Sequence, residues 1–192
     1  MTIFVDMDDV LVELLDAWTH ELNKISRYNK HPSDITDWEM KLAYPDLTSN
    51  QIFDILGHVD FWKNVRQVND AYTYMKKLIQ DGHKVYVATA SYPLNFFVKT
   101  EYCLFKIFDF LGPDNVICIQ DKFLLDGDVL FDDYHENLRK FKGIKVLKTA
   151  AYNINCPEEC FHFRVSKENA WKDFYTIITV IGEVGELCRC ID

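Results

Sequence analysis

A chain of 192 residues with a formal net charge of −9, 48% hydrophobic and 15% aromatic, has enough apolar material for one large core. That charge speaks against partners such as nucleic-acid duplexes or anionic membranes, where lysine and arginine must replace counterions. No charged-then-apolar leader, low-complexity tract or apolar run near the roughly 20 residues of a membrane span is present, so the expectation is a folded cytoplasmic protein.

Residues 2–5, TIFV, read as a short buried strand with apolar residues on both faces. From there Leu11, Leu15, Trp18, Leu22 and Ile25 repeat at helical spacing. Pro32 and its neighbouring turn formers break that pattern. TSNQIFDIL follows as a short helix, with Thr48 or Ser49 as its N-cap and Gly57 beyond its end. In NDAYTYMKKLIQDG, Asn69 is the expected cap, Met75, Leu78 and Ile79 the apolar face, and Gly82 the stop.

Beyond Gly82, strands and helices alternate. Strands are expected at 84–88, 115–119, 128–132 and 144–148, with helices at 93–108 and in HENLRKF. CFHFR, at 160–164, reads as an edge strand, and a final helix is expected from near Ser166. This alternation predicts an α/β fold, a Rossmann-like parallel sheet flanked by helices. Residues 16–74 lack it, and read as a small helical cap inserted after the first strand of a core formed by 1–15 and 75–192. The six cysteines (Cys103, Cys118, Cys156, Cys160, Cys188, Cys190) have neither zinc-finger spacing nor a disulfide framework, and read as reduced thiols.

The chemistry gathers at the carboxyl ends of these strands. Asp6 ends the first strand, with Asp8 and Asp9 just beyond; Thr89, Ala90 and Ser91 follow the second; Lys122 follows the third; Asp132 and Asp133 end the fourth. Ligands of open α/β sheets bind at that rim. Several carboxylates together suit Mg²⁺, and a divalent cation offsets the repulsion among Asp6, Asp8 and Asp132. One carboxylate can attack phosphorus, and a second can protonate the leaving alkoxide and later activate water. Thr89 and nearby amides can hold phosphate oxygens, with Lys122 balancing their charge.

The motifs DMDDVL, VYVATAS, QDK and LFDDY, in this order, resemble the haloacid dehalogenase (HAD) superfamily of phosphatases. VYVATAS and FLGPDNVICIQDK look closest to the 5'(3')-deoxyribonucleotidase family. That resemblance implies Asp6 as nucleophile and Asp8 as general acid/base. It implies Mg²⁺ on Asp6, the main-chain carbonyl of Asp8 and Asp132, with Asp133 acting through water. Thr89, the amide of Ala90 and Lys122 would take the phosphate of a small phosphomonoester, a nucleoside monophosphate in that family. Asp9 replaces the glycine common after the second aspartate, Ala90 stands where the deoxyribonucleotidases usually have serine, and Leu14 where characterised members have an aromatic.

Plainer readings compete. Asp6 and Asp8 could cap a helix starting near Leu11, and Asp132 and Asp133 could cap HENLRKF. Phe61 and Trp62 suit either a base-stacking surface of the cap or its core. A sugar-phosphate phosphatase, a receiver-like Mg²⁺-binding domain and a catalytically silent relative share parts of the motif set. The sequence leaves oligomeric state open, a homodimer included.

Overall fold

The computed structural model describes residues 1–189; Cys190 lies outside them. Six strands form one all-parallel sheet: β1 (Thr2–Val5), β2 (Lys84–Thr89), β3 (Val116–Cys118), β4 (Val129–Asp132), β5 (Ile144–Lys148) and β6 (Phe163–Val165). Their order is β3-β2-β1-β4-β5-β6. The sheet grows outward from β1 on one side, then returns to its other flank with β4. In such sheets this reversal opens a crevice at the strands' carboxyl ends. Val5 pairs with Val87 on one side and Phe131 on the other, so three strand ends come level there.

Side chains alternate across the pleat, which separates the core into two clusters. Ile3, Val5, Val129, Phe131 and Val146 face one side, where Trp171 and Phe174 of the final helix pack. Phe131 stacks on Phe174 at 4.2 Å, and the Trp171 indole donates to the Val10 carbonyl at 2.8 Å. Phe4, Ala88, Leu130 and Leu147 face the other side with Leu138 and Phe141.

The helices are α1 (Leu14–Ile25), α2 (Ser49–Phe53), α3 (Val59–Trp62), α4 (Ala71–Gln80), α5 (Pro93–Lys99), α6 (Phe105–Ile107), α7 (His135–Arg139) and α8 (Ala170–Arg189). Thr48 caps α2 through a reciprocal capping box with Gln51. Several sequence expectations need correction. α1 begins at Leu14 rather than near Leu11, because Leu11 belongs to the loop that turns back on Met7. Ile25 is 54% exposed at the far end of α1, and Ile79 is 37% exposed on the outer side of α4. Asp70, not Asn69, precedes α4; it adopts φ +60° and makes no side-chain cap bond. α8 starts four residues after Ser166, whose hydroxyl accepts from the Asn169 amide at 3.2 Å.

The expected continuous helix at 93–108 is interrupted. A wide π turn, Thr100–Leu104, separates α5 from α6. There the Thr100 hydroxyl bonds back to the carbonyls of Phe96 and Phe97 at 2.7 and 3.1 Å. The added residue lets Val98, Lys99, Thr100, Cys103 and Leu104 all face inward.

Between α1 and α4 the chain makes short helices and the 3₁₀ turns Pro32–Asp34 and Asp54–Gly57. Its buried side chains, Tyr44, Ile52 and Trp62 among them, join the same apolar cluster as Val5 and Phe131. Among the described residues no helix is long and apolar enough to cross a membrane.

Candidate active site

The rim of the sheet gathers the charged residues that the sequence singles out. The Asp6 amide donates to the Phe131 carbonyl at 2.9 Å, which ties the end of β1 to β4. Asp6 and Asp132 therefore stand on adjacent strand ends, with Lys122 entering from the 3₁₀ turn Lys122–Leu124 after β3. Its ammonium lies 2.6 Å from Asp6 Oδ1 and 2.7 Å from Asp132 Oδ2, and its side chain is 1% exposed. Asp132 is fixed further by the Tyr134 amide at 2.8 Å and the Asn137 side-chain amide at 3.0 Å. The expectation that it caps α7 is not met: Tyr134 precedes that helix, which has no side-chain cap bond, and Asp132 Oδ2 meets Lys122 instead.

Asp6, Asp132 and Asp133 are all buried, and each has a carboxylate oxygen within 4.8 Å of the others'. Burial pushes the Asp6 carboxyl above its ordinary value against the pull of Lys122, and Asp132 adds to the rise. Burial, then Asp6 and Asp132, raise Asp133 in the same direction. Burial works against the Lys122 ammonium, but Asp132 and Asp6 hold its pKa above the usual lysine value. One lysine cannot neutralise three clustered carboxylates. An all-oxygen, acid-rich donor set of this kind fits a hard divalent cation.

Asp8 belongs to a second charge system. Its Oδ2 accepts from Lys99 at 2.7 Å, while its buried Oδ1 makes no hydrogen bond. The same ammonium donates to Thr89 Oγ1 at 2.6 Å and to the Ala90 carbonyl at 3.2 Å. Burial raises the Asp8 carboxyl above its ordinary value; Lys99 opposes that and Asp6 reinforces it. Lys99 is absent from the sequence reading. The available signal was a lysine amid the apolar run FFVKTEYCL, at an inward helical position.

Asp9 adopts φ +55°, a left-handed conformation that suits the glycine it replaces. Its Oδ1 accepts from the Leu15 amide at 2.9 Å, satisfying an N–H in the first turn of α1. Burial pushes its carboxyl up to about 7 against the pull of buried Lys148. A cavity of about 720 Å³ opens beside it, lined in part by Leu15, Val68, Lys148, Tyr152 and Lys167.

Phe61 and Trp62 are buried and meet edge to face at 5.2 Å. The Trp62 indole donates to the Leu56 carbonyl at 2.7 Å, and its ring lies 5.9 Å from the Lys99 ammonium. Phe61 borders a separate cavity of about 320 Å³ with Glu13, His20 and Arg66. Of the cysteines with described side chains, Cys103, Cys118, Cys156 and Cys160 are all free.

The sheet and its acidic rim define a HAD-type hydrolase fold. A haloacid dehalogenase-like protein of Agrobacterium tumefaciens matches with a TM-score of 0.64 at 10% identity, over 94% of this chain and 98% of the other. A HAD family hydrolase of Deinococcus radiodurans, solved with bound phosphate and sodium, matches with a TM-score of 0.61 at 9% identity, over 94% and 96%.

Within that fold, residues 1–183 match the family model described as 5' nucleotidase, deoxy (pyrimidine), cytosolic type C, and the chain belongs to that family. It is 30% identical over 155 residues to a 5'(3')-deoxyribonucleotidase of Bacillus subtilis, covering 80% of this chain and 87% of the relative. It is equally identical over 152 residues to one of Clostridium acetobutylicum, covering 79% and 83%. The chain is a phosphoric monoester hydrolase of the 5'-nucleotidase type.

Proposed function

We propose that the chain is a Mg²⁺-dependent 5'(3')-deoxyribonucleotidase that hydrolyses nucleoside monophosphates through an aspartyl phosphate on Asp6. Residues 16–74 act in this reading as the helical cap over the substrate. The observation that carries it is the separation of two nearby carboxylates into two charge systems: Asp6 answers to Lys122 and Asp132, Asp8 to Lys99. A nucleophile and a general acid need such unlike surroundings to hold different protonation states at one pH.

Asp6 attacks phosphorus, and Asp8, protonated at that moment, gives its proton to the departing ester oxygen. Asp8 then removes a proton from water, whose attack on phosphorus breaks the acyl phosphate and restores Asp6. The raised pKa of the buried Asp8 carboxyl favours the protonated form the first step requires, while burial raises Asp6 too and a bound cation would hold that group ionised. Thr89, the Ala90 amide and Lys122 hold the phosphoryl oxygens, and Lys99 orients Asp8 and Thr89. Asp6, Asp132 and the main-chain carbonyl of Asp8 would hold Mg²⁺ directly and Asp133 through water, and the ion would supply positive charge against the phosphoryl group.

Phosphate release from a panel of monophosphates, with acid-quenched labelling of the protein, tests the proposal. Deoxyribonucleotides are expected to be the best substrates. Excess EDTA is expected to abolish turnover, and Asp6→Asn to yield no labelled protein. Full activity in EDTA, or a labelled Asp6→Asn protein, would refute the mechanism. Preferential turnover of sugar phosphates would discard the nucleotide while keeping the chemistry.

A further inference from the structure

Resting on the proposed metal site, we infer that Tyr152 is a positioning residue for Asp133, and that Trp38 ties this positioning to the seating of the segment between α1 and α4. The Tyr152 hydroxyl donates to Asp133 Oδ2. It is the only side-chain hydrogen bond to that carboxylate among the described residues. The other acids of the cluster each have an ammonium in contact; Asp133 has this phenol.

The turn that carries Tyr152, Ala151–Asn153, grips Asp133 twice. While Tyr152 holds its carboxylate, the Asn153 side-chain amide donates to the Asp133 carbonyl at 2.7 Å and to the Lys148 carbonyl at 2.8 Å. Asn153 is itself fixed by the Arg164 guanidinium, which reaches its Oδ1 and its carbonyl at 3.2 Å each. The turn is thus anchored to β5 and β6 as well as to the end of β4, and it presents the phenol from a rigid base.

The other side of the same ring meets the far segment. Trp38 packs edge to face on Tyr152 at 5.8 Å and on Trp18 of α1 at 6.3 Å. The 3₁₀ turn Pro32–Asp34 also packs against the Tyr152 turn. Tyr152 borders two cavities, one beside Asp9 and Lys148, the other between Trp38, Leu42 and Tyr134. A displacement of Trp38 would therefore free the ring whose hydroxyl orients Asp133. Outer partners of metal ligands act in this way, fixing the ligand's orientation and its basicity.

Calorimetric titration of the full chain with Mg²⁺ tests the inference without reference to turnover. Tyr152→Phe keeps the ring and its packing on Trp38 while removing the donor. It is expected to weaken Mg²⁺ binding by about 10-fold or more, with kcat at saturating Mg²⁺ within about twofold of wild type. Trp38→Leu is expected to weaken binding in the same direction in the wild-type chain, and to have no further effect once Tyr152 is Phe.

Unchanged Mg²⁺ affinity in Tyr152→Phe would overturn the positioning role. An equal effect of Trp38→Leu in both backgrounds would overturn the link to the segment. A wild-type chain that binds no Mg²⁺ would overturn the metal reading and this inference together. Wild-type binding with an insensitive Tyr152→Phe would overturn the inference alone.

Discussion

Asp6 and Asp8 sit two residues apart, yet different lysines face them, and the second lysine changes how the pair is understood. Lys99 contacts Asp8, Thr89 and the Ala90 carbonyl from a helix nearly a hundred residues along the chain. Replacing it with methionine keeps much of the stem's volume and removes the charge. Lys99→Met is expected to lower kcat/KM about 100-fold, the lower end of what general acid–base catalysis contributes. A loss under threefold in steady-state assays would exclude it from the reaction. Asp6, Thr89 and Asp132 were legible because a strand pattern shows where each strand ends, and polar residues there face the rim; Lys122, four residues beyond β3, was legible only from the order of the motifs. Lys99 was not, because it lies inside α5 rather than at a strand end, where a lysine amid apolar residues reads as part of the helix. Tyr152 and Asn153 were invisible for a related reason: they act from a loop, where side-chain direction has no period to follow.

At the level of elements, the strand order leaves little slack around the rim, and the approach of β5 to β4 depends on a glycine. A Cβ at Gly143 would lie 2.6 Å from the carbonyl oxygens of both Asp128 and Gly127. Both oxygens belong to the backbone leading into β4, so nothing flexible there can yield. Gly143→Ala is expected to cost about 1–3 kcal/mol, seen as a lower urea midpoint with an unchanged slope. An unaltered midpoint would mean that the backbone entering β4 and β5 is softer than its contacts indicate. The strands, α2, α4 and α7 were legible in outline, and the edge strand was expected at 160–164 and found at Phe163–Val165. The start of α1 was not. Leu11 lies in register with the helical pattern yet folds into the loop, where its carbonyl accepts from the Val68 amide at 2.8 Å. Tertiary hydrogen bonding there overrides the local pattern.

For the molecule as a whole, the buried acids make stability depend on pH in an uncommon direction. Asp9 titrates near 3.8 ordinarily and at about 7 when folded, so the folded chain keeps a proton that the unfolded chain has already lost. Its contribution is fully present below the lower value and disappears as pH rises through the higher one. Asp6, Asp8 and Asp133 shift in the same direction. In EDTA, wild-type Tm is therefore expected to fall between pH 5 and 8 by several degrees more than that of Asp9→Asn, at roughly 2–4 °C per kcal/mol. Mg²⁺ is expected to recover more stability at pH 8 than at pH 5. Parallel pH profiles for the two proteins would show that Asp9 is not the proton holder.

The reversal of strand order at β1 also governs when the acidic rim comes into being. Asp6 lies at the end of β1, and its neighbour across the crevice, Asp132, follows in the chain only after β2 and β3. A chain emerging from the ribosome can pair β1 with β2 while Asp6 still faces water rather than another carboxylate. Docking of β4 beside β1 then brings the like charges of Asp6, Asp132 and Asp133 together in one event, where a divalent ion would offset their repulsion. A divalent ion available during synthesis would thus act on the nascent chain before any substrate does.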